Sequence, residues 1–252
     1  MRRFSHDHDP QGLSLIPRTI DEGEEASIDE LWNDMIDHPG SIKPGELIFD
    51  IQVLMWHFYC SLSHDGLARK WLPRLLQIYQ DKLAAGAMER WMVVDGWAIA
   101  RLAGEVALSD QILAHLREAY QQGTQAWWKY DWVAWGLLHM DEEAGPLKEA
   151  ETRIRQAEDA REGGQDVIRS SRTMLEIVKA IRDRDQDAFD AAWQARGAFW
   201  AEEAEDNDPE SPEFLCDVVG AALGDLAEAR GLTVEPDAYR DLEWWREIRD
   251  GA

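Results

Sequence analysis

The chain has 252 residues, with 50 Asp and Glu against 26 Lys and Arg, and a formal net charge of −24 at pH 7. That acid excess argues against recognition of DNA, RNA or an anionic membrane through a basic face, which depends on neutralising phosphates. It favours a basic partner met by electrostatic steering, while a 45% hydrophobic content gives the chain enough apolar matter for a core.

Residues 1–26 carry Pro10, Gly12, Pro17 and Gly23 without lasting periodicity and read as a flexible N-terminal arm. Arg2 and Arg3 are followed by no apolar stretch, so no secretory signal is expected. Ser27 and Glu30 form a capping-box pattern ahead of Ile28, Leu31, Trp32, Met35 and Ile36, which recur at helical spacing until Pro39-Gly40. Pro44 suits the first turn of a second helix that is apolar almost all round, from Leu47 to Tyr59, and therefore expected at the centre of the core. Ser63 is placed to cap a third helix with Leu67, Trp71, Leu75, Ile78, Tyr79 and Leu83, kinked or restarted at Pro73 and closed by Gly86.

Further helices are expected over 88–102, from Ser109 as a cap to Gly123, over 125–139, and over 147–161. The last has a thin apolar stripe on a charged background, with Glu149–Arg153 and Glu151–Arg155 at four-residue spacing, as on an outer helix. After Gly163-Gly164 come helices over about 166–181 and from near Asp185, then an acidic run at 202–213, a helix over 214–229 ended by Gly231, and a short terminal one with Leu242, Trp245 and Ile248. No segment alternates with period two. The expectation is an all-α fold, a single bundle of about nine to eleven mostly antiparallel helices over 27–252, with lobes 27–162 and 165–252 sharing a core. A helical-hairpin solenoid is the competing architecture, but no fixed repeat is present.

Catalytic signatures are missing: there is no HExxH, GxSxG or GxxxxGK[ST]. His6-Asp7-His8-Asp9 is the densest group of metal-ligand residue types, yet a Pro/Gly-rich terminus offers no rigid second shell, so no metal or other cofactor is expected. Cys60 and Cys216 sit in apolar runs and read as core residues. Asp50, His57, Asp95 and Asp131 lie on apolar or aromatic helices, where polar groups need hydrogen-bonding partners. Trp127, Trp128, Trp132 and Trp135 crowd neighbouring turns, and Trp244-Trp245 lie near the C-terminus. Tryptophans of this kind fill gaps between helices, although they could also anchor a partner or line a ligand pocket.

The acidic run supplies Glu202, Glu203, Glu205, Asp206, Asp208, Glu210 and Glu213, and Asp141, Glu142 and Glu143 form a second acidic cluster. These are the expected partner-binding residues, presenting carboxylates to the arginines and lysines of a basic protein.

Residues 174–189 read as a helix, a short acidic turn and a second helix. They are followed by Phe199-Trp200, the acidic run, the small-residue helix of 214–229 ending in Arg230-Gly231-Leu232, and then Tyr239-Arg240-Asp241-Leu242. This order, over roughly residues 165–245, resembles the C-terminal half of all-helical immunity proteins of bacterial polymorphic-toxin, contact-dependent and type VI secretion systems, such as immunity family 49 and the helical proteins that neutralise secreted nucleases. Asp217-Val218-Val219-Gly220 stands where the nuclease-directed group has an aromatic GYW-type signature. The resemblance implies a non-enzymatic, cytoplasmic protein that binds one cognate toxin and occludes its active site or substrate cleft. Two other readings compete with it: a helical enzyme or ligand-binding protein with a Trp-lined pocket using Asp50, Asp95 or Asp131, and a helical-hairpin adaptor holding a peptide.

Overall fold

In a computed structural model of the protein, the described residues are 65–121, 131–141, 145–160, 164–206 and 217–250, apart from 85, 87, 89 and 238. The expected arm at 1–26 and the helices expected between 27 and 64 lie outside them, as do Asp50, His57 and Cys60. Among the described residues the fold is all helix: α1 Asp65–Ala84, α2 Arg90–Leu102, α3 Val106–Gln121, α4 Asp131–Leu138, α5 Gly145–Ala160, α6 Gln165–Asp183, α7 Gln186–Asp206, α8 Val218–Ala229 and α9 Leu242–Asp250.

The helices pack as two strongly associated pairs, α2 on α3 and α6 on α7, with α8 joining them by lying against both α2 and α6. Helices α4, α5 and α6 form a three-way contact, and α9 closes the bundle over α1, α2 and α8. Buried side chains from every helix belong to one hydrophobic cluster, so the core is continuous across the Gly163-Gly164 break. Helix α8 can bridge because it is built of small residues. A Cβ placed on Gly224 would fall 2.8 Å from the Trp193 ring, a separation that only glycine permits.

The α6–α7 hairpin shows how local sequence sets this geometry. Arg184 takes a left-handed conformation (φ 54°), and the Asp185 N–H reaches back to the Ala180 carbonyl at 3.0 Å, the six-to-one bond of a Schellman ending. Asp185 then caps α7, its Oδ1 accepting from the Ala188 N–H at 3.0 Å. Two residues therefore end one helix and start the next, and the chain folds back antiparallel, bringing Ser170 of α6 beside Arg196 of α7. Gly104 and Gly231 provide the same left-handed ending after α2 and α8.

Three expectations need correcting. Ser109 does not cap a helix: α3 begins at Val106, and Ser109 is buried inside it, its hydroxyl donating to the Trp97 carbonyl at 3.0 Å. Pro73 does not restart the helix: α1 runs through it, with the residue exposed. Helix α8 starts at Val218 and not at 214, because the Asp217 side chain caps it through the Gly220 N–H. The outer character expected of 147–161 is seen in α5, where Lys148, Glu149, Arg153, Arg155 and Gln156 are exposed.

Candidate functional site

The inner face of α7 carries Phe189, Ala192, Trp193, Arg196 and Phe199, all buried, at helical spacing. A cation thus occupies a core position. The Arg196 side chain is 2% exposed and its partner Asp217 1%. The pair is bidentate, Nε to Oδ2 and Nη2 to Oδ1, both at 2.7 Å. The remaining nitrogen, Nη1, donates to the Ser170 hydroxyl at 2.7 Å and to the Ser170 carbonyl at 3.2 Å. The guanidinium also lies over the Phe199 and Trp200 rings, 5.6 and 5.4 Å from their centroids. Asp217 divides itself further, since its Oδ1 accepts from the Gly220 N–H at 2.9 Å and its own N–H donates to the Tyr239 carbonyl at 2.8 Å.

A second buried arginine lies alongside. Arg240 sets its guanidinium 3.6 Å from the centroid of the Trp193 ring, and its Nη2 donates to the Trp193 carbonyl at 3.0 Å and to Asp237 Oδ2 at 2.7 Å. Gly197 and Gly220 make room for it: a Cβ on the first would come 2.9 Å from Nη2, and one on the second 2.7 Å from Cδ. Nε and Nη1 of Arg240 have no hydrogen-bond partner. The segment 232–241 carrying this arginine is fastened along α7. Gln186 exchanges two hydrogen bonds with the backbone of Thr233, at 2.9 and 2.8 Å, and the Trp193 indole donates to the Glu235 carbonyl at 3.1 Å.

Two cations and two carboxylates therefore balance in the junction of α6, α7, α8 and the 232–241 segment. Arginine does not give up its proton, and Asp217 is bonded through both oxygens, so it could act as a base only by surrendering Arg196. The arrangement holds helices together. Sequence reading treated 214–229 as one apolar helix, named Asp217 and Arg240 only within the stretches that carry the resemblance, and did not name Arg196. The available signal was a charge on the buried stripe of α7, paired with an Asp just ahead of a small-residue helix.

Of the expected partner-binding acids, Glu202, Glu203, Glu205, Asp206 and Asp141 lie among the described residues, the first four on α7 and Asp141 on the turn after α4. Glu202 is exposed (54%) and held in a two-pronged pair by Arg169, whose hydrogen bonding keeps its carboxyl below the ordinary range. Glu203 is half-buried and engaged within the chain. Glu205 and Asp206 end α7. Asp141 is 70% exposed and paired with Arg230 at 2.6 and 2.8 Å, its pKa lowered chiefly by that hydrogen bonding. This bond ties the turn after α4 to the C-terminal end of α8, whereas Glu202 lies on α7 beyond the arginine that holds the other end of α8. Asp141 and Glu202 are thus not brought together. Asp208, Glu210, Glu213, Glu142 and Glu143 lie outside the described residues, as do His6, Asp7, His8, Asp9, Trp127, Trp128 and Cys216.

Among the other residues considered, Asp95 is half-buried on α2 and engaged within the chain, and Asp131 opens α4. Trp135 tilts against His139 with ring centroids 4.1 Å apart, and buried Trp244 and Trp245 meet edge to face at 4.9 Å. Among the described residues, no group of three or more His, Cys, Asp or Glu is arranged to hold a metal ion, and no helix is long and apolar enough to cross a membrane. No protein-family model matches the chain, and neither a curated protein nor a solved structure matches it significantly.

Proposed function

We propose that this protein acts by binding, as an acidic helical immunity protein that neutralises a basic bacterial toxin in the cytoplasm, with a nuclease as the expected target. The observation that carries the reading is the net charge of −24. Among the described residues, moreover, several cations are spent on the chain's own acids. Arg169, Arg172, Arg182, Arg230, Arg246 and Arg249 each pair with a neighbouring carboxylate, and Lys179 lies between Glu151 and Glu176. Because each such arginine pair is neutral, the formal excess of −24 lies outside them. The substrate cleft of a nuclease has the opposite sign, so complementary fields would speed encounter, and buried aromatic anchors would slow release. The order of elements in the C-terminal third, which resembles that of helical immunity proteins, supports the same reading. No step of it requires chemistry from this chain.

The experiment is co-expression with the product of the adjacent gene, the expected toxin, together with mixing of the two purified proteins. Restored growth and a stable complex are expected, with an association rate that falls steeply as salt is raised. Continued killing with no detectable complex would overturn the proposal. Changing Glu202 and Glu203 together to Gln is expected to slow association more than it speeds dissociation.

A further inference from the structure

We draw no further inference here: the strongest candidate, the buried cluster of Arg196 and Arg240 where α6, α7, the start of α8 and the 232–241 segment meet, has its charges balanced inside the fold by Asp217 and Asp237, and nothing in the structure points a ligand at the two unbonded nitrogens of Arg240.

Discussion

Two bidentate arginine–aspartate pairs in this protein have nearly the same donor–acceptor distances and opposite surroundings. Arg196–Asp217 closes at 2.7 Å with both side chains out of water, and Arg230–Asp141 closes at 2.6 and 2.8 Å with the carboxylate 70% exposed. Distance alone would rank them as equals, but desolvation separates them. In the exposed pair either partner can return to water when the other is removed. In the buried pair a survivor is stranded, so its loss costs more than the pair itself contributes.

The sharpest way to break this comparison is truncation of one buried partner. Asp217→Ala is expected to destabilise by about 3–5 kcal/mol, because it strands Arg196 and also removes the cap of α8. A urea unfolding curve reads this directly, and a loss below about 1 kcal/mol would place the pair with surface ones. Next in size is Gly224→Ala, which drives a methyl against the Trp193 ring and is expected to cost about 1–3 kcal/mol. Gly145→Ala, at the first position of α5 and just before Pro146, meets nothing within 4 Å beyond its chain neighbours and should change stability by no more than about 1 kcal/mol in either direction, so the two variants together separate close packing from backbone freedom.

Smaller effects come from the exposed side. Asp141→Asn should cost no more than about 1 kcal/mol, and less as salt increases. Its pH dependence has a definite sign. The folded-state pKa of Asp141 is depressed, so the stability it gives is present above the unfolded-state carboxylate pKa and is lost as pH falls through the lower folded value. Thermal unfolding followed between pH 6 and pH 3 should therefore show wild type and Asp141→Asn converging at the acid end. Arg184→Gly relieves a left-handed arginine and should raise stability by up to about 1 kcal/mol, an increase of a few degrees in melting temperature.

Helix α6 and the start of α7 were legible because local rules act alone there. The apolar stripe of Val167 to Ile181 and the short acidic turn at Asp185 carry their own punctuation, and the helices fall within a few residues of the expected bounds. The start of α8 was misplaced because Asp217 looks like any polar residue in an apolar run until Arg196, 21 positions away, is placed beside it. Ser109 misled for a similar reason, since a serine that caps and a serine that bonds a carbonyl of the preceding helix look alike in one dimension. Arg240 was hidden because arginine is so often a surface residue, and only the pairing of Gly197 with Gly220 in space makes room for it inside. Of the acidic residues, composition gave the charge, but not that Glu202 and Asp141 are each clasped by an arginine of their own chain.

The Arg196–Asp217 bond has one more consequence. It fastens the chain to the bundle on both sides of the most acidic stretch, so the residues between are tethered at two fixed posts. Changes of charge within that stretch therefore leave the contact between α7 and the start of α8 in place.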